Sequence, residues 1–115
     1  DNDQSSYDYD ITRRHLKLLQ AATNLEGQPL QVETLTAPTD LRPDYLNDEF
    51  AAGYIGFYVC NGAVIAQEFG DAKADAAAKA VLQQAYPGRE VIMLNVDGIA
   101  AGGGSIHCTT QQEIA

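Results

Sequence analysis

"GYIGFYVCNGAVIAQEFG", residues 53–70, decides the fold. Two apolar runs of β-favouring residues flank Asn61-Gly62, a dipeptide whose two positions both tolerate positive φ. The pattern predicts strands over 54–60 and 63–67 joined by a type I′ turn. Downstream, Asp71 is placed to cap a helix through "AKADAAAKAVLQQAY" (72–86), with Ala77, Val81 and Ala85 forming an i, i+4 stripe. Pro87-Gly88 ends that helix. "EVIMLNV" (90–96) follows as a nearly continuous apolar strand, which predicts burial on both faces. From residue 54 onward the order is therefore β-β-α-β.

The residues before it are sparser in signal. "DNDQSSYDYD" (1–10) is an acidic lead-in, and Asp10 is placed to cap a helix over "ITRRHLKLLQAATN" (11–24). Ile11, Leu18 and Ala22 share one face of it, with Leu19 adjoining. Asn24 and Gly27 supply a stop. Leu30 and Val32 alternate with Gln31 and Glu33, which predicts a short strand. Residues 38–50 carry two prolines and four acids without a period, and read as a long connection of the kind that covers or serves a site. The early helix and strand match the last half of a unit like the one after residue 54, in order of elements only. The whole reads as α/β, with no internal linker marking a second domain.

The totals bound the function. A chain of 115 residues is one domain or part of one, and at that size about two-thirds of the unfolded surface is buried. Sixteen acids against seven bases give a net charge of −9. That balance argues against nucleic acid and anionic membrane as partners, and mildly favours a cationic ligand. No secretory signal peptide is visible, and no apolar run approaches the ~18 residues of a membrane span. Cys60 and Cys108 are then expected as free thiols of a cytoplasmic chain. The first residue is Asp1 rather than Met, which leads us to expect a processed or truncated product.

"AAGGGSIHCTT" (100–110) is the candidate functional stretch. It lacks the spacing and lysine of a phosphate-binding loop. His107 and Cys108 are adjacent and point apart on an extended segment, while His15 and Cys60 lie far off in sequence, so no metal is expected. Two readings stay open on the residues alone: a flexible connector carrying a small buried cysteine, or a loop that leaves a buried strand and gives a reactive thiol room. A reactive thiol needs an activating group, and the adjacent His107 is poorly placed to share its proton. A thiol hydrolase of another kind would have to use His15. Cys60, beside the hairpin turn, reads as structural. Tyr54, Phe57 and Tyr58 read as packing rather than as a substrate cage.

"GGGSIHCTTQQ" (102–112) resembles the C-terminal signature of the agmatine deiminase family, also called the Porphyromonas-type peptidylarginine deiminase family, within the pentein superfamily. The resemblance extends over nearly the whole chain: residues 1–23 look like the family's acidic lead-in and helix, and residues 51–112 look like its last module. It implies a partial pentein-type α/β-propeller, with about one complete ββαβ module (51–115) plus the end of the preceding one and a connection (1–50). It implies that Cys108 is the nucleophile, that Gly102, Gly103 and Gly104 shape the loop around a small cationic guanidinium substrate (agmatine or an arginine-like group), and that no cofactor or metal takes part. The family's acid/base histidine and guanidinium-binding acids belong to earlier modules, and neither His15 nor His107 sits in the motif of that histidine. The isolated chain is accordingly expected to be inactive or nearly so. The sequence departs from the pattern at Gly56, where many relatives carry Asn, and at Ser105, where they carry Asn or Gly. The alternative is a non-catalytic binding or assembly module that pairs its exposed edges in a homo-oligomer.

Overall fold

The computed structural model describes residues 3–114. They fall into two compact units that meet in sequence between Thr34 and Leu35.

The first unit is built on helix α1, Tyr9–Ala21. It starts two residues earlier than a cap at Asp10 predicts. Asp8 takes the cap position without a side-chain bond, and Asp10 sits in the first turn, where a negative charge faces the helix's free amides. The expected stop holds: the Asn24 side chain accepts the amides of Glu26 and Gln28, and Gly27 turns the chain at φ 76°. The strand expected at Leu30 and Val32 is not formed. Only Thr23 and Pro29 make a β-bridge. The segment that would pair with residues 30–33 is the end of α1, which is already helical at Ala21, so no ladder can extend.

The second unit holds the sheet. Strand β1 is Tyr58–Cys60, β2 is Ala63–Glu68, α2 is Ala72–Ala85 and β3 is Glu90–Asn95. The strand order is β1-β2-β3, with β1 antiparallel to β2 and β3 parallel to it across the α2 crossover. The β-β-α-β order is present. The turn type differs from expectation: Asn61 keeps a negative φ and only Gly62 is positive, at 79°, which are the signs of a type II turn and not of type I′. β1 is also shorter than 54–60, because the residues before it bond elsewhere. The Gln67 carboxamide donates to the Gly53 carbonyl, and the His107 amide donates to Gly56.

Asp71 caps α2 as expected, accepting the Ala74 amide at 3.0 Å. Its second oxygen takes the amides of Thr39 and Asp40, and these bonds hold its carboxyl down at a pKa of about 2. The buried stripe of α2 is displaced by one residue from Ala77, Val81 and Ala85. Ala78 and Leu82 are the buried pair, with Ala74 beside them, while Ala77 and Ala85 are exposed. Asp75 sets this phase: it accepts the amides of Phe69 and Gly70 and the Tyr54 hydroxyl, locking the first turn of the helix to the end of β2.

Leu82 packs on Val64, Ala66 and Val91, and a second cluster gathers Tyr54, Phe69, Ala78 and Ala100. Tyr54 and Phe50 meet Phe69 edge to face, at 5.4 and 6.0 Å, and Phe57 meets Tyr86 at 5.7 Å. β3 is not buried on both faces. It is an outer strand of the sheet, with α2 over its Val91 and Met93 side, and Leu94 on the alternate side is 44% exposed.

Candidate functional site

The site begins where β3 ends. A short helix α3, Asp97–Ala100, follows directly, and sequence reasoning did not foresee it. The residues of α3 and the glycines close a tight turn: the amides of Gly102 and Gly104 reach the Ile99 carbonyl, and that of Gly103 reaches Ala100. Of the three glycines only Gly103 takes positive φ, 75°, a conformation side chains resist. Gly104 lies against Cys108, and a β-carbon on it would stand 3.8 Å from the cysteine's own. Gly102 and Gly103 are exposed.

The connection over residues 38–52 straps this turn down. Arg42 is the chief fastener: its guanidinium reaches Asp97 and the Glu68 carbonyl, with the Glu68 carboxylate 3.6 Å away. The bond to Asp97 is the main reason that the guanidinium holds its proton more firmly than usual. Asn47 donates to the Ala101 carbonyl and the Ala51 amide to that of Ala100. Neither Arg42 nor Asp97 was legible as a pair, since 55 residues separate them and neither lies in a motif.

Beyond the glycines, Ser105 and Ile106 are buried, and His107–Thr109 form one 3₁₀ turn. Cys108 rides on this turn, exposed, with its amide bonded to the Ser105 carbonyl at 3.1 Å. The Ser105 hydroxyl is 3.7 Å from its sulfur. The backbone of Ser105, and then its hydroxyl, draw the Cys108 thiol below its ordinary pKa. A thiol so shifted is more fully ionised near neutrality, and the thiolate is the nucleophilic form. His107 is exposed, and its backbone amide is committed to Gly56. Successive side chains on a 3₁₀ turn leave it about 120° apart, so His107 and Cys108 start from different sides of the turn. His15 lies on α1, in the other unit.

Cys60 belongs to the hairpin, with its sulfur 3.6 Å from the Ala63 carbonyl. Among the described residues no group of three or more His, Cys, Asp or Glu side chains is arranged to hold a metal ion, and no helix is long and apolar enough to cross a membrane. An open groove of about 450 Å³ runs along α2 and β3 past Lys79, Glu90 and Met93, and Cys108 is not part of it. The site as described is thus one exposed thiol, its pKa lowered by Ser105, on a strapped loop.

Comparison with known proteins agrees with the motif. Residues 1–113 match the family model of Porphyromonas-type peptidyl-arginine deiminase. An agmatine deiminase of Pseudomonas aeruginosa is 32% identical over 130 residues, covering 99% of this chain and 35% of the relative. The solved agmatine deiminase of Enterococcus faecalis superposes with a TM-score of 0.87 at 27% identity, covering 98% of this chain and 35% of that one. A Campylobacter jejuni agmatine deiminase shares the fold at a TM-score of 0.67 and 24% identity, covering 95% of this chain and 31% of that one. The chain spans about a third of the length of the relatives that it matches. Its ββαβ architecture is accordingly part of a pentein-type fold. The chain belongs to the Porphyromonas-type peptidyl-arginine deiminase family, with agmatine deiminases among its relatives.

Proposed function

We propose that this chain supplies the nucleophile of a guanidine-modifying hydrolase of the agmatine deiminase type, and that the nucleophile is Cys108. The observation that supports this reading is the exposed thiol on the turn after Gly104, its pKa lowered by Ser105. The thiolate attacks the guanidinium carbon and forms a C–S bond. One C–N bond breaks, its nitrogen leaves as ammonia after taking a proton, and a thiouronium remains on sulfur. Water adds to that carbon, the C–S bond breaks and the thiolate is restored. The product carries a ureido group, which from agmatine is N-carbamoylputrescine. A cationic guanidinium beside the sulfur also favours the thiolate.

The chemistry needs a general acid and base, each typically worth about 10²–10⁴-fold. The adjacent His107 is poorly placed to share a proton with Cys108, and the resemblance assigns the family's acid/base histidine to a motif that neither His15 nor His107 sits in. The chain alone is therefore expected to turn over agmatine at a small fraction of a full-length relative's rate. The test is replacement of the matching third of the Pseudomonas aeruginosa agmatine deiminase by residues 1–113. The chimaera is expected to release ammonia and ureido product from agmatine, and Cys108→Ser is expected to cut this by roughly 10³-fold or more. Equal turnover by the Cys108→Ser chimaera would overturn the assignment.

A second reading, a non-catalytic module that assembles through sheet edges, is favoured by the outer position of β3 and by the exposed Leu94 that it carries. Size-exclusion chromatography of the chain distinguishes the two: a stable homo-oligomer disrupted by Leu94→Lys supports assembly, and a monomer counts against it.

A further inference from the structure

Gly56 has an ordinary φ and so does not need to be glycine for its backbone. It needs to be glycine for its neighbour. A β-carbon added to it would overlap both the hydroxyl oxygen and the β-carbon of Ser105. The serine side chain occupies the space that any other residue at 56 would fill. The same space is bordered by the Gln67 carbonyl oxygen, 3.4 Å from that point, and this oxygen is fully buried without a hydrogen-bond partner. The other end of the Gln67 carboxamide holds the Gly53 carbonyl, and the Gly56 carbonyl takes the His107 amide. A buried glutamine in β2 thus fixes residues 53–56, and these in turn fix both ends of the Ser105–His107 segment.

We propose that Ser105 is a positioning residue for Cys108: seated in the space left by Gly56, its hydroxyl donates a hydrogen bond to the cysteine sulfur when that sulfur is ionised. The proposal rests on the reading of Cys108 as a nucleophile and adds the group that readies it. Two observations carry it. The hydroxyl is 3.7 Å from the sulfur, within reach for a soft, large acceptor. The serine side chain is buried, while the sulfur that it faces is exposed, so the donor is held and the acceptor is open to a substrate. A hydroxyl hydrogen bond to a charged acceptor is stronger than one to a neutral acceptor, so it favours the thiolate over the thiol.

The test uses the whole chain with Cys60→Ala, so that Cys108 is the one thiol, and follows iodoacetamide alkylation against pH together with thiolate absorbance. Ser105→Ala is expected to move the titration midpoint upward and to slow alkylation at pH 7 by at least about threefold. Circular dichroism reports whether each variant folds. Gly56→Ala is expected to displace Ser105 and to give the same upward move with a loss of stability. The double variant Gly56→Ala, Ser105→Gly is expected to regain the stability, because both overlapping atoms are gone, while keeping the high midpoint. A folded Ser105→Ala or Ser105→Gly chain with an unmoved midpoint would overturn the proposal. None of these readings needs hydrolysis of a guanidine, so failure of the chimaera to turn over agmatine bears on the nucleophile assignment alone.

Discussion

Arg42 and Asp97 meet in a two-pronged pair, with Nε 2.6 Å and Nη2 2.9 Å from the two carboxylate oxygens. Asp97 opens the short helix that leads into the glycine turn, and Arg42 sits in the connection that covers it. The carboxylate is only 4% exposed. Its charge is therefore tolerable only with the guanidinium in place. Arg42→Gln, which leaves that carboxylate buried and unpaired, is expected to destabilise the chain by about 3 kcal/mol, the lower end for breaking a buried pair from one side. Replacing both residues by apolar ones, Arg42→Met with Asp97→Leu, is expected to recover most of that loss. Urea denaturation of the single and double variants beside the parent chain checks both statements.

Asp71 gives the fold a pH dependence at its acid end. Its carboxyl is ionised down to about pH 2 in the folded chain, because the Ala74 and Thr39 amides bond the charged form. In the unfolded chain it titrates near 3.9. A folded pKa below the unfolded one means that its contribution is complete above about pH 4 and is lost as pH falls through about 2. Asp71→Asn is expected to flatten the Tm-against-pH curve in that window and to leave the slope above pH 5 unchanged, as thermal melts across the range will show.

Leu82 is the largest α2 side chain in the core, 2% exposed between Val64, Ala66 and Val91. Leu82→Ala is expected to cost about 2–5 kcal/mol by chemical denaturation. Ala77→Ser, at the position that the sequence pattern favoured for burial, is expected to cost little because that residue is exposed.

Two glycines separate backbone strain from steric overlap. Gly62 takes φ 79°, and a β-carbon added there would meet nothing within 4 Å, so Gly62→Ala is expected to cost only the left-handed penalty of about 1 kcal/mol. Gly56→Ala has no such penalty but overlaps the Ser105 side chain, and is expected to cost more. Equal losses in paired denaturation curves would contradict this difference.

What the sequence made legible was local. The Asn61-Gly62 turn, the Asp71 cap and the stop at Asn24 and Gly27 are each written within a few residues, and each is present. The errors arose where a partner decided the outcome. Residues 30–33 alternate like a strand but find only a helix end beside them. β3 is apolar enough for burial on both faces, yet α2 covers one. The phase of α2 is set by Asp75 gripping the end of β2, which no periodicity shows. The glycine run announced the loop, and its family likeness singled out Cys108. Arg42, Asp97 and Ser105 could not be found that way, because their roles come from residues distant in sequence. Gly56 and Ser105, 49 residues apart in sequence, turn out to be a single steric unit.

The Arg42–Asp97 pair also has a consequence for how the chain reaches this state. The hairpin closes over two residues and α2 forms from near neighbours, so both are cheap in chain entropy. The pair instead joins segments 55 residues apart, and the cost of closing a loop rises with its length. The Cys108 loop is thus fastened by one of the most distant contacts in its unit. It is expected to be organised late on the way to the native state and released early on the way out. Heat or denaturant should therefore disorganise the Cys108 loop before the hairpin and α2 lose their structure.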